Sequence, residues 1–121
     1  MKKFMLGVVV YMMTMTVWAA GSGLVGPATI KTMYVNGGWT QVRAPELDAS
    51  NNPGEEAAYN PSGCEKTYYF AIHPSDDNYA AIHSTLLSAQ MAGKKVSFWL
   101  DGCGGQDGAY PYIRSVWLFT D

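Results

Sequence analysis

Residues 67–101 read TYYFAIHPSDDNYAAIHSTLLSAQMAGKKVSFWLD, and this stretch decides the fold. From Thr67 to His73 the side chains divide between two faces at a period of two, which indicates a β-strand. Pro74 ends that strand, because proline cannot donate to a sheet ladder. A helical segment and a second alternating segment follow. The stretch therefore predicts strand, helix and strand in that order.

The predicted helix has a beginning, a buried face and an end. Ser75 is the predicted N-cap, and Asp76 and Asp77 suit the positive end of the helix dipole. Gly93 is predicted to end the helix as its C′ residue. Spacings of three and four place one stripe against the core, formed by Tyr79, Ile82, Leu86 and Ala89.

The second predicted strand, Val96 to Asp101, has two different faces. Ser97 and Trp99 lie on one of them. If the opposite face packs on the core, Trp99 points outward, where we expect it to meet a neighbouring subunit, a sugar ring or another strand. That opposite face carries Val96, Phe98 and Leu100.

The segments before residue 67 predict a hairpin and two irregular regions. Thr29–Val35 and Trp39–Ala44 are β-prone, and the link Asn36-Gly37-Gly38 is typical of a hairpin turn. Residues 21–26, GSGLVG, are predicted to be a flexible lead-in. Pro45 to Gly63 is rich in proline and turn residues and is predicted to be a long loop.

The fold class that follows is mainly β with one α-helix. Cys103 to Pro111 is a predicted Gly-rich turn, and Tyr112 to Thr120 is the last strand. That strand is apolar on both faces except for Arg114 and Ser115, so we expect it to be central in the sheet or packed on both sides. The order β-β-β-α-β-β predicts a small Greek-key barrel of the OB type. An open antiparallel sheet with one helix packed on it is the alternative.

Cys64 to Leu118 resembles a known family of secreted subunits. The resemblance is carried by Tyr68–Ile72, by the helix Ala80–Gln90, by Gly93–Leu100 and by the closing strand after Tyr110-Pro111. It is a resemblance to the C-terminal half of the B subunits of AB5 toxins, especially the subtilase-cytotoxin and pertussis-like group.

The resemblance implies a secreted OB-fold subunit that forms a ring pentamer. In that family the helices line the central pore, the outer faces bind sialylated glycans, and a separate enzymatic A subunit docks on the ring. Subtilase-type subunits carry a Tyr-Ser-Asp-like stretch near the mature N-terminus that supplies a sialic-acid contact. Here that place holds Gly21-Ser22-Gly23-Leu24, so no glycan-binding residue carries over.

The N-terminal residues have the pattern of a bacterial secretory signal peptide. Lys2 and Lys3 precede an apolar run from Phe4 to Val17, and small residues allow cleavage after Ala19 or Ala20. The run is shorter than the roughly 20 residues that a membrane-spanning helix needs, so a retained anchor is the weaker interpretation. We therefore expect residues 1–19 to be a signal peptide and residues 20–121 to form one domain.

Composition excludes several classes of function. The 121 residues carry a formal charge of −2, and removal of the predicted signal peptide changes this charge to −4. Strong electrostatic binding to nucleic acid is therefore not expected. With 48% hydrophobic residues the chain is too apolar to be wholly disordered. A core of about 100 residues is thin, and such a domain benefits from a covalent link.

The two cysteines, Cys64 and Cys103, both lie in the part predicted to be exported. In an oxidising compartment one pair predicts one disulfide. It would stabilise the fold by about 4 kcal/mol in the chain-entropy model. A redox or nucleophilic thiol is the alternative, but the chain has no C-x-x-C motif.

Aromatic and basic side chains supply the candidates for ligand or interface contacts. Trp99 is predicted to face outward, and the tyrosine rings lie in or beside loops, where they could stack on sugars. The two lysines follow the helix end. The alternative is that the rings thicken a small core. The candidates are Trp99, Tyr59, Tyr110, Tyr112, Lys94 and Lys95.

A small hydrolase is the third-ranked hypothesis. His73, Asp76, Asp77 and His83 lie within eleven residues, so a metal site or an acid–base pair could be drawn from them. The simpler interpretation is helix capping by the aspartates and two ordinary exposed histidines. We expect no catalytic residue, no cofactor and no metal.

The leading prediction is a secreted or periplasmic binding protein that is not an enzyme and resembles a toxin B subunit. Its expected partners are other copies of itself in a ring and a cell-surface glycan or a protein. Nucleic acid and stable membrane insertion are not expected. The alternative is a periplasmic protein-interaction module, such as an inhibitor, an immunity-like protein or a secretion accessory.

Overall fold

The computed structural model describes residues 21–120, and the predicted signal peptide lies outside that range. Six strands, two α-helices and three 3-10 helices follow one another within these described residues. In order they are β1 (Ser22–Thr29), β2 (Thr32–Val35), β3 (Thr40–Arg43), 3-10 helices at Pro45–Leu47 and Ala49–Asn51, α1 (Glu56–Tyr59), β4 (Phe70–Ile72), α2 (Tyr79–Ala92), β5 (Lys95–Gly104), a 3-10 helix at Gln106–Gly108 and β6 (Tyr110–Leu118).

The strands form one sheet in the order β1-β5-β6-β4-β3-β2. Neighbouring strands are antiparallel except β4 and β6, which pair in parallel at Ala71 and Tyr112. The predicted hairpin is confirmed as the pair β2–β3. The last strand, β6, has β5 on one side and β4 on the other, which confirms that it is central.

The prediction of a mainly β fold with one α-helix is confirmed in part: the structure is a mixed α/β fold with one sheet and one main helix, and two details of the prediction are corrected. The sheet has six strands rather than five, because the first predicted strand is preceded by another. The closed barrel is not found: within residues 21–120 no ladder joins β1 to β2. The open-sheet alternative also differs in one respect, since the β4–β6 pair is parallel.

The flexible lead-in predicted for residues 21–26 is wrong, because this segment forms most of β1. It pairs with β5 from Ser22, opposite Asp101, to Thr29, opposite Lys95. The ladder supplies hydrogen-bond partners that compensate the poor strand propensity of glycine. Gly26 sits at a register shift with φ of 114°, and a Cβ there would come within 2.7 Å of Ser97 Oγ. Glycine is required at that close approach.

The core lies between the sheet and α2. Val96, Phe98 and Leu100 of β5 are fully buried, as the alternation predicted. The stripe of α2 is confirmed as well: Leu86 and Ala89 are buried, and the remaining two members, Tyr79 and Ile82, pack against the core.

The ends of α2 agree only partly with the sequence. Gly93 follows the helix in the left-handed conformation with φ of 66°, as predicted. Ser75 is not the N-cap. The helix begins at Tyr79, and Asn78 occupies the cap position without a side-chain cap hydrogen bond. The carboxylate of Asp76 is used instead by the turn before the helix, where it accepts from the backbone N–H of His73 at 2.9 Å.

The strand predicted over Thr67 to His73 is reduced to β4. All three of its residues are buried, so both faces of this short strand are covered. Phe70 and Ile72 belong to the main core. Ala71 packs on the opposite side in a small second core with Ala109 and Tyr110.

The segment predicted as a long loop, Pro45 to Gly63, contains three of the short helices. Asp48 organises it: the side chain is 5% exposed and accepts hydrogen bonds from Ser50 and Thr67. The predicted disulfide between Cys64 and Cys103 is confirmed. It ties the end of this segment to β5, which extends into the region predicted as a turn.

Candidate functional site

The outer face of the sheet is the side of β1, β5 and β6 that points away from the core. Trp99 lies on it and is 38% exposed, which confirms the predicted outward orientation. Leu24 of β1 is directly opposite Trp99 in the ladder and is 58% exposed. Cross-strand neighbours of this kind are within contact distance on a sheet. The two side chains therefore form one exposed apolar patch.

The apolar patch continues onto β6 through residues that the sequence analysis did not single out. Trp117 is paired with Ser97, one alternation from Trp99, and is 46% exposed. Phe119 follows two residues later, 39% exposed, and its N–H donates to the Lys95 carbonyl at 2.9 Å. The period-two spacing of Trp117 and Phe119 in the last strand was the signal that could have identified them.

The two candidate lysines occupy different environments. The Lys95 side chain is exposed on the outer face at the first position of β5, opposite Thr29. Lys94 is half-buried, and its Nζ donates to the Thr120 carbonyl at 3.3 Å. Lys95 is therefore the one available to a partner on the outer face.

Tyr110 lies in the small second core. It is 4% exposed and packs edge-on against the rings of Tyr68 and Tyr69, with centroids 5.4 and 5.6 Å away. Burial, together with a hydrogen bond to Tyr68, raises the pKa of Tyr110 to about 12. Its ring is covered and cannot stack on a ligand in this conformation. Tyr68, 41% exposed, is the accessible member of the cluster.

Tyr112 connects three polar groups at the end of β4. Its ring packs on His73 at a centroid distance of 5.2 Å, and its hydroxyl donates to the carboxylate of Asp76. The Arg114 guanidinium lies over the same ring, 4.2 Å from the centroid. Burial and the hydrogen bond to Asp76 raise the pKa of Tyr112 to about 12.

His73 fixes the loop between β5 and β6. Its Nε2 accepts from the backbone N–H of Gly105 at 3.0 Å, so that nitrogen carries no proton in this arrangement. Buried Gln41 holds the same loop, since its Oε1 accepts from the N–H of Gln106 at 2.8 Å. The interpretation of His73 as an ordinary exposed histidine is wrong, because tertiary contacts half-bury it.

The second histidine has a separate set of partners. His83 Nδ1 lies 3.3 Å from both the hydroxyl of Thr40 and that of Tyr79, and those two hydroxyls are 2.8 Å apart. His83 is also half-buried rather than exposed. Tyr59, the remaining candidate, is partly buried and packs against the main core.

A polar groove runs between α2 and β6. It consists of two adjoining cavities of about 340 and 250 Å³, which share Asn78, Ile82 and Arg114. Asp76 and Asp77 line the larger cavity. Arg114 is held in place by Tyr112 and by a 3.1 Å hydrogen bond from its Nε to the Asp101 carbonyl. Arg114 was not predicted as a site residue, because nothing in the surrounding sequence distinguishes it from an ordinary exposed arginine.

Two further properties limit the chemistry of the described residues. No group of three or more His, Cys, Asp and Glu side chains in residues 21–120 is arranged to hold a metal ion. No helix in that part of the chain is long and apolar enough to cross a membrane.

The described residues form a small α/β domain with one mixed sheet, one long helix and one disulfide. Aromatic side chains are exposed on the outer face of its sheet. In structure, the chain is similar to the cholera toxin-like B-subunit from Citrobacter freundii, with a TM-score of 0.51 and 12% sequence identity. The similarity covers 83% of this chain and 86% of that one. The expected resemblance to an AB5 toxin B subunit is thus confirmed at the level of the fold.

Sequence comparison adds nothing to this likeness. No family model matches the chain, and no curated protein matches it.

Proposed function

We propose that the protein is an exported binding subunit of the toxin B type, without enzymatic activity, that assembles into a ring and recognises a glycan. The fold shared with a cholera toxin-like B-subunit carries this proposal. Because function resides in sites rather than folds, the remaining support must come from the surface of this chain.

The sheet edges support assembly. Among residues 21–120, β2 pairs only with β3, and β6 beyond Tyr112 pairs only with β5. Unpaired strand edges are templates for pairing with another chain. Two different edges on one molecule make a head-to-tail contact, which generates a ring when the rotation closes. Tyr34 and Val35 of β2, 43% and 54% exposed, would contact the neighbouring copy.

The short link between β1 and β2 supports an OB-type arrangement. These end strands of the sheet are separated by Ile30 and Lys31 alone. We propose that they act as one bent strand whose halves serve the two sides of an OB-like barrel.

Export is supported by the sequence and by the disulfide. Residues 1–19 have the pattern of a signal peptide, and a disulfide persists in an oxidising compartment such as the periplasm or the exterior. A binding role is favoured over catalysis because His73 and Asp76 are engaged in hydrogen bonds that hold local structure.

The accessible aromatic rings are the candidate sugar contacts. Trp99 keeps this role, and exposed Tyr68 joins it, because sugar rings stack on aromatic faces. Arg114, whose guanidinium lies over the Tyr112 ring, lines the polar groove, where hydroxyl and acidic groups of a glycan could bind.

Light scattering coupled to size exclusion of the oxidised protein tests the assembly. A ring predicts a mass several times that of the 13.2 kDa chain, and a monomer would overturn the ring. Val35→Lys at the β2 edge should dissociate it, whereas Ala57→Lys on exposed α1 is the matched control.

A glycan array with the wild type and a Trp99→Ala variant tests recognition. Loss of a glycan signal in the variant alone would support a site at Trp99. A protein captured by pull-down, with no signal on the array, would instead favour a protein-interaction module.

A further inference from the structure

The outer face of the sheet has a second property besides its aromatic rings: its basic side chains lie at one end. Lys95 is opposite Phe119 and beside Thr29 in the ladder. Lys31 follows two residues after Thr29 and is exposed. Lys95 is therefore at the Phe119 and Trp117 end of the apolar patch, and Lys31 lies on the link that leads from this end to β2.

The only carboxylate of this face in the described strands is at the opposite end. Asp101 is exposed and pairs with Ser22, beyond Trp99 and Leu24. Lysines therefore lie at one end of the face and Asp101 at the other. The carboxylate of Glu46, which accepts from the N–H of Thr29 at 3.4 Å, lies beside the lysine end, and the whole chain is acidic. A surface with this pattern attracts a negatively charged partner at the lysine end and needs an apolar contact in the middle.

The breadth of the face and its residue types suit a lipid surface. The exposed side chains project from three neighbouring strands, so they form a broad face rather than a groove. Tryptophan and phenylalanine favour the membrane–water interface, and nearby lysines add attraction to anionic lipids. Ser97, which could have offered a hydroxyl between the rings, is itself buried.

We infer that the outer face, formed by Leu24, Trp99, Trp117 and Phe119 with Lys31 and Lys95, binds peripherally to the surface of a bilayer that contains anionic phospholipids. The aromatic side chains enter the interfacial region, and the ammonium groups contact phosphate or carboxylate headgroups. Leu24, Trp99 and Lys95 lie on β1 and β5, away from the unpaired edges of β2 and β6, so a ring assembled through those edges would leave these side chains available. Lipid binding does not depend on glycan recognition.

Co-sedimentation of the oxidised protein with vesicles tests the inference. We expect it to bind vesicles of phosphatidylcholine with about one third phosphatidylserine, and to bind much less to phosphatidylcholine alone. Trp117→Ser should weaken binding about tenfold, through lost apolar burial. The matched control is Met91→Ser on α2, which removes a 77% exposed apolar side chain from another surface and should leave binding unchanged.

The charged end has its own test and control. Lys95→Gln should weaken binding to the anionic vesicles about fivefold, since a lysine near such a surface contributes about 1 kcal/mol. Lys66→Gln removes an exposed lysine elsewhere and should have no effect. Circular dichroism checks the fold of each variant, and Leu24→Ser replaces Trp117→Ser if that variant does not fold.

Three results would overturn the inference. These are no binding of the wild type to anionic vesicles, equal binding to both vesicle types, or an equal loss in Met91→Ser. A fall in oligomer mass in Trp117→Ser without vesicle binding by the wild type would assign the face to contacts between copies. Because these vesicles carry no glycan, failure here leaves the glycan and ring proposals standing.

Discussion

Removing the carboxylate of Asp48 should loosen the segment between β3 and β4. The side chain is buried, and its Oδ1 accepts from the N–H of Ser50 at 3.0 Å, from the hydroxyl of Ser50 at 2.9 Å and from the hydroxyl of Thr67 at 2.7 Å. The first two are local. The third crosses 19 residues and joins the short helices to the chain before β4.

The expected loss follows from the kinds of bond involved. A hydrogen bond to a charged group contributes about 1.5–3 kcal/mol. Ser50 is exposed, so its two donors can return to water, and the pair of Ser50 bonds is therefore counted as one bond. We assign about 1.5 kcal/mol each to the Thr67 bond and to the pair of Ser50 bonds, so Asp48→Ala should lower the free energy of unfolding by about 3 kcal/mol. Thr67→Val should lower it by about 1.5 kcal/mol.

Urea unfolding of the oxidised single and double variants measures these terms. The double-mutant cycle should give a coupling of about 1–2 kcal/mol between Asp48 and Thr67, with unchanged m-values. Asp77→Ala, which removes an exposed carboxylate, is the control and should stay within about 0.5 kcal/mol of wild type. A loss below about 1 kcal/mol for Asp48→Ala, or coupling within about 0.3 kcal/mol of zero, would refute the reasoning.

Three other perturbations have defined outcomes. Replacing Cys64 and Cys103 by alanine opens a link across 39 residues and should lower the free energy of unfolding by about 4 kcal/mol in denaturant titrations. The pKa values of Tyr110 and Tyr112 are raised to about 12 in the folded protein, so their protonated hydroxyls stabilise the fold. This contribution to the free energy of unfolding is complete below about pH 10 and falls as the pH rises toward 12. The part of the tyrosinate absorbance that belongs to Tyr110 and Tyr112 should appear only above about pH 10, together with loss of the circular dichroism signal; ionisation of every tyrosine near pH 10 in folded protein would contradict this. Gly93→Ala should cost about 1 kcal/mol in thermal unfolding, because alanine resists the left-handed φ of 66°.

The functional proposals place different tasks on different parts of the surface. Ring assembly would use the edges of β2 and β6, lipid contact would use the outer face, and glycan contact would use Tyr68 and the Arg114 groove, with Trp99 shared between lipid and glycan contact. Val35→Lys and Leu24→Ser therefore separate assembly from lipid contact, since Val35 lies on the β2 edge and Leu24 on the outer face of β1.

The strand–helix–strand stretch was predictable because its information is local. The alternation through Phe98, the helical stripe through Leu86 and the glycine at position 93 each follow from the geometry of a single element. Pairing of Cys64 with Cys103 required only that the chain has two cysteines and an oxidising destination. The outward orientation of Trp99 followed from the burial of its neighbours in the strand.

The features that the sequence did not reveal depend on contacts between distant residues. The Gly-rich segment at residues 21–26 is a strand only because β5 offers it a ladder. Asp76 looks like a helix-capping residue, yet Tyr112, 36 residues away, takes its carboxylate. Local propensity differs by about 1 kcal/mol between alternatives, so a few tertiary hydrogen bonds reverse it.

By itself, the sequence determined the helix, its buried stripe and the buried face of β5, because each depends on the spacing of apolar residues within one element. It also determined the disulfide, because two cysteines can form only one pair. Only the tertiary structure decided which strands are neighbours, that β1 exists, that Tyr110 is covered while Tyr68 is accessible, and that Leu24, Trp99 and Trp117 form one patch. Those outcomes depend on register between strands far apart in the chain, and a shift of one residue would move every side chain of a strand to the other face.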